Sequence, residues 1–133
     1  MSREGLTNLD SVDISDIHPV LDQGITKLVK AIRGCGHTTF GSCQGGLDGD
    51  HHHHRFPWVT VSGLVFEDNP AYRDIGSKLD KFNKRDGVRW TISQGAIQPE
   101  RPASNRQELE KLQASADELA KFLFYEFSPL FSP

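Results

Sequence analysis

Trp58-Val59-Thr60-Val61-Ser62-Gly63-Leu64-Val65-Phe66 is the strongest β-forming run in the chain. β-Branched and aromatic side chains dominate it, and these pack well on a pleated, half-buried surface. Pro57 precedes it, at a place where a missing N–H is tolerated. A sheet is therefore expected near the middle of the chain, with the other elements arranged around it. Upstream, Thr38-Thr39-Phe40-Gly41-Ser42-Cys43 is a shorter β-prone run. A loop of about a dozen residues joins the two, so they are expected to be antiparallel neighbours. Downstream, Val88, Trp90 and Ile92 alternate with Arg89, Thr91 and Ser93, the pattern of a half-buried strand. Gln94-Gly95 is expected to bend it or to open a hairpin into Ala96-Ile97-Gln98.

Three amphipathic stretches flank these strands. Leu21, Ile25, Leu28, Val29 and Ile32 form one helical stripe after Pro19, with Gly34 and Gly36 placed to stop it. Asn69-Pro70 reads as N-cap and first helical residue, and Tyr72, Ile75, Leu79 and Phe82 follow on one face. Ser104 with Gln107 reads as a capping box before Leu109, Leu112, Ala116, Leu119, Leu123 and Phe127. The order α-β-β-α-β-(β)-α predicts an α/β fold of the α+β kind. It is a single domain with a small sheet of three to four strands, and the helices span 19–33, 70–84 and 105–126. Residues 1–16 are expected to be an arm, 17–127 the globular domain and 128–133 a tail.

At 133 residues, one domain can hold its own core without staples. Fifteen basic and 18 acidic residues give a net charge of −3, which is no footprint for a phosphate backbone, so nucleic acid is not the expected partner. Cys35 and Cys43 do not make a disulfide framework, no apolar leader opens the chain, and no run is long enough to span a membrane. The expected compartment is the cytoplasm, with both thiols reduced.

The chemistry concentrates in two adjoining stretches. Cys43 ends a strand beside Gln44-Gly45-Gly46, where a nucleophile or ligand-contacting thiol can sit. Such a thiol needs a base or a positive field, and His37 is the candidate partner. The competing reading of Cys43 is a small buried hydrophobe. Asp48, Asp50 and the run His51-His52-His53-His54 offer carboxylates and imidazoles. Alternation in an extended loop lets two histidines such as His52 and His54 converge, and with Asp48 or Asp50 they match a catalytic zinc set. The competing reading is a solvated polar loop. Ser42, Gln44, Gly45, Gly46 and Trp58 are the candidate ligand-binding residues, Gln44 because it both donates and accepts.

The stretch Thr38-Thr39-Phe40-Gly41-Ser42-Cys43-Gln44-Gly45, then Phe56-Pro57-Trp58-Val59-Thr60-Val61, resembles a pattern in a family of uncharacterised bacterial proteins. There a Thr-x-x-Ser-Cys-[Glu/Gln]-Gly-His strand precedes a Pro-[Tyr/Trp]-Val strand, and the closing helix is similar to residues 108–123. The resemblance covers residues 20–125 and implies a shared fold and a bacterial source. Gly46 stands where that family has its histidine. Ser42-Cys43-Gln44-Gly45-Gly46 is also similar, over five residues, to a turn of the tRNA wybutosine-synthesis methyltransferases, without their arginine. That similarity implies a SAM-dependent tRNA-modifying activity. The leading functional expectation is a small-ligand-binding or catalytic module at the Ser42-Cys43-Gln44-Gly45 turn and the histidine loop, with a divalent metal such as zinc as the cofactor to test. The alternative is a non-catalytic interaction protein.

Overall fold

The computed structural model describes residues 9–16, 23–47 and 55–127. Helix α1 spans Gln23–Gly34, strand β1 Thr39–Cys43, strand β2 Trp58–Val61 and helix α2 Pro70–Phe82. Strand β3 (Trp90–Ser93), strand β4 (Ala96–Pro99) and helix α3 (Arg106–Phe127) complete the order. The strands form one antiparallel sheet in the order β1-β2-β4-β3. Among the described residues the chain is thus a small single-domain α+β fold with three α-helices and four strands, as the sequence predicts.

Alternation gives the sheet two different faces. Val59, Val61, Ile97 and Trp90 point inward and join a core with Ile25, Leu28, Val29 and Ile32 of α1 and Leu119, Leu123 and Phe124 of α3. Trp90 is 1% exposed, and its indole N–H donates to Ser115 Oγ on α3 at 2.9 Å. A smaller cluster of Ala103, Leu109 and Leu112, with Leu47 and Phe56 against it, closes the corner where β1 ends. Leu9 is buried in the main core and its N–H lies 3.4 Å from Tyr125 Oη, so this part of the arm packs on the domain. No helix among the described residues is long and apolar enough to cross a membrane.

Local chemistry sets most boundaries. Asn69 caps α2, its side chain accepting from Ala71 N–H at 2.9 Å with Pro70 following. Gln94 and Gly95 take positive φ (52° and 81°), the two-residue turn that matches strand twist, and make the β3–β4 hairpin. Two boundaries depart from the sequence reading. The strand expected to reach Phe66 stops at Val61, because Gly63 turns at φ +87° and Val65 and Phe66 swing out to 68% exposure. The cap of α3 is Asn105, not Ser104 with Gln107. Asn105 Oδ1 accepts from Glu108 N–H at 2.9 Å, and Glu108 Oε1 accepts from Ser104 N–H at 3.0 Å. Both residues are good caps, and the carboxylate at position 108 selects the later start. Pro19, Leu21 and the tail 128–133 lie outside the described residues.

Candidate functional site

Inward and outward alternation continues past the end of β1 and decides where each candidate side chain goes. Ser42 pairs with Val59 on the helix-facing side, and Cys43 pairs with Trp58 on the opposite side. Gln44 turns back toward the helices. Its Oε1 accepts from Gly24 N–H at the start of α1 (2.9 Å), and its carbonyl accepts from Gln113 Nε2 on α3 (3.1 Å). Gln44 therefore ties two helices to the end of the sheet, and its acceptor is spent on that tie. Cys43 is 9% exposed and its Sγ accepts from Gly45 N–H at 3.3 Å, so the turn folds over its own cysteine. Gly45 and Gly46 are buried.

His37 does not join this corner. It precedes β1, whereas Cys43 ends it, so the strand holds them on the order of 20 Å apart. The expected Cys43–His37 pair is not formed. His37 Nε2 instead meets Asp74 Oδ2 at 2.8 Å, and Lys78 Nζ reaches the same oxygen at 3.0 Å. Cys35 lies nearby and donates to Leu123 O at 3.3 Å; burial raises its pKa and keeps it a thiol. The cluster fastens the α1–β1 connection to α2. Asp48, Asp50, His52 and His54 lie outside the described residues, and among the described residues no group of three metal-ligating side chains occurs.

What the outer sheet face does present is a groove of about 330 Å³ beside the Cys43 turn. Phe56 and Trp58 form its apolar wall, Ala96 its floor, and Thr60, Ser93, Gln94 and Gln98 its polar rim. Gly41 on β1 lies against the indole: a Cβ there would stand in ordinary contact, 3.5 Å from Trp58 Cζ3. The lining carries no charge, yet it offers two hydroxyls and two carboxamides, each able to donate and accept. Gln94 holds its place from a left-handed backbone that only glycine and asparagine adopt readily. The sequence reading missed Thr60, Ser93, Gln94 and Gln98. Alternation with Val59, Val61, Ile92 and Ile97 marked Thr60, Ser93 and Gln98 as outward-facing, and Gln94 comes from the hairpin turn, but only the strand order β1-β2-β4-β3 brings them together.

Comparison with known protein families, characterised proteins and solved structures found no match.

The two shifted aspartates have opposite acid behaviour. Burial alone would raise Asp74, but hydrogen bonds and charge from His37 and Lys78 outweigh it and lower its pKa below 3.8. Its contribution to stability is complete above the ordinary carboxylate value and is lost as pH falls through the lowered one. Asp117 is raised above 3.8 by burial, against the charges of Lys27 and Lys121, and among the described residues its Oδ1 has no hydrogen-bond partner. Its charge opposes folding at neutral pH, and that penalty is relieved as pH falls through the raised value. Asp74→Asn is expected to lower the melting temperature at neutral pH, and Asp117→Asn to raise it. Both differences should vanish in strong acid, the Asp117 one first. Melting curves across the acid range check this, and an Asp74→Asn protein as stable as the parent at neutral pH would contradict it.

Proposed function

We propose that this chain is a non-catalytic small-ligand-binding module that holds an uncharged, flat-faced molecule in the outer-face groove at Trp58. The carrying observation is the composition of that groove: an aromatic wall, an uncharged hydrogen-bonding rim and a volume of about 330 Å³. Small-ligand sites combine apolar and aromatic walls with placed polar groups, and begin at roughly 300 Å³. No lining side chain exchanges protons near neutral pH, which leaves none of the lining in a position for acid–base chemistry. A cysteine covered by its own turn and a histidine at the strand's far end support binding over nucleophilic catalysis.

A nucleoside and a hexose both carry a flat face with a rim of neutral polar groups, so adenosine, uridine and methyl glucoside are the probes. A ligand at about a hundred times its Kd stabilises the fold by about 2.7 kcal/mol. Trp58→Ala is expected to remove about 1–3 kcal/mol of stacking, roughly five- to 150-fold in Kd, while Trp58→Phe keeps part of it. Calorimetric titration of the three proteins decides the matter. Trp58→Ala binding as tightly as the parent, or no response to any probe, would sink the reading.

A further inference from the structure

The outer edge of the sheet at β3 carries a second, larger groove of about 770 Å³, walled by α2. Its backbone chemistry is unusual. In the antiparallel pair β3–β4, Arg89 O accepts from Glu100 N–H at 2.9 Å, which makes Arg89 a ladder-bonded residue. Alternation then turns the N–H and C=O of Trp90 and of Ile92 away from β4, toward the open edge. At Trp90 the edge is already occupied. Asn83 Oδ1 accepts from Trp90 N–H at 2.8 Å, and Asn83 Nδ2 donates to Trp90 O at 2.8 Å. One side-chain amide thus imitates a neighbouring strand there. Ile92 is the next outward pair, and among the described residues no hydrogen bond from another element reaches its N–H or C=O.

The helix opposite is cut back at the same level. Gly76 sits inside α2, where glycine is among the costliest choices. Packing does not require it: a Cβ there would meet only Ile92 Cδ1, at 4.0 Å. The glycine keeps space open above Ile92, beside the open backbone pair.

We infer that this edge is a docking site for an extended peptide, which adds to the sheet at Ile92 and sets an apolar side chain over Gly76, with acidic residues on either side of it. An unmatched backbone N–H and C=O call for another backbone, as in strand addition. The charge follows the groove. Its lining holds Arg73, Lys81, Lys84 and Arg89 against Glu67, Asp80 and Glu100, one cation in excess, in a chain whose net charge is −3. A second copy pairing edge to edge would find little backbone to bond: the outward pair at Trp90 is already taken by Asn83, which leaves Ile92 alone within the four residues of β3.

The test is an NMR titration of the full chain with the capped peptide Glu-Val-Glu-Val-Glu and, separately, with Lys-Val-Lys-Val-Lys. The acidic peptide is expected to shift the Ile92 amide most and slow its hydrogen exchange, and the basic one to bind several-fold more weakly. Gly76→Met should fill the groove and weaken the acidic peptide about tenfold or more, and Lys84→Glu should weaken it without touching the groove floor. Gly76→Ala should raise the melting temperature, as its Cβ has room. An unmoved Ile92 amide, equal binding of the two peptides, or full binding by both variants would overturn the proposal. So would concentration-dependent self-association removed by Gly76→Met, which would make the occupant a second copy.

Discussion

Gly45→Ala is expected to destabilise the fold by about 2–5 kcal/mol, a large loss for adding one methyl group. Two costs combine. The backbone at Gly45 has φ +85°, a left-handed conformation that costs a side-chain-bearing residue roughly 1–2 kcal/mol. The added Cβ would also lie 2.7 Å from Phe56 C, 2.9 Å from Phe56 O and 3.1 Å from Leu109 Cδ1. The first two are backbone atoms, so relief requires the chain at Phe56 to move. That movement displaces the Phe56 wall of the outer groove and uncovers Cys43, whose Sγ accepts from Gly45 N–H. The substitution should therefore cost both stability and reserve of the thiol. Denaturant melts and the rate of thiol labelling in native buffer measure the two effects. A Gly45→Ala protein within about 0.5 kcal/mol of the parent would show that the turn is not closed as described.

Trp90→Ala should cost about 3–5 kcal/mol, enough to leave a domain of ordinary stability marginal or unfolded. Trp90 is the largest fully buried side chain among the described residues, and three elements meet on it. Its ring fills the core between the sheet and the helices, its N–H satisfies Ser115 Oγ, and its backbone is gripped by Asn83. Truncation empties the ring volume and leaves a buried hydroxyl to find another partner. Trp90→Phe keeps most of the apolar contact and should fall between Ala and the parent. Equal losses for Phe and Ala would place the energy in the Ser115 hydrogen bond and not in packing. Urea melts of the three proteins separate these cases.

The sequence announced its elements through local rules. The stripe of α1 from Ile25 to Ile32 and the Asn69-Pro70 cap each need only nearest neighbours, and each appears as expected. The strand around Trp90 also forms, but it begins at Trp90 and not at Val88. Errors arose where two local signals competed. A β-rich run concealed the Gly63 turn, which is backed by Asn69: a Cβ on Gly63 would lie 2.6 Å from Asn69 Oδ1. Ser104 and Asn105 competed as caps, and Glu108 decided.

The site was harder to read because its partners are remote in sequence. Gln44 looked like a ligand contact but bonds residues 20 positions before and 69 positions after it. His37 looked like a base for Cys43 but meets Asp74, 37 positions on. Trp58 was legible as a candidate, whereas the rim that completes its groove comes from the β3–β4 hairpin, and no local pattern places that hairpin beside β2.

The central claim is that ligand sits against Trp58 on the outer face. The chain holds two tryptophans, Trp58 in the groove wall and Trp90 sealed in the core, so their indole N–H resonances report the two places separately. Titrating the full chain with adenosine, uridine and methyl glucoside while following both resonances is the most direct test. A saturable shift of the Trp58 indole, together with the amides of Thr60 and Gln98 and with Trp90 unmoved, is the predicted result. A saturable shift centred on His37 and Asp74, with the Trp58 indole still, would contradict the account.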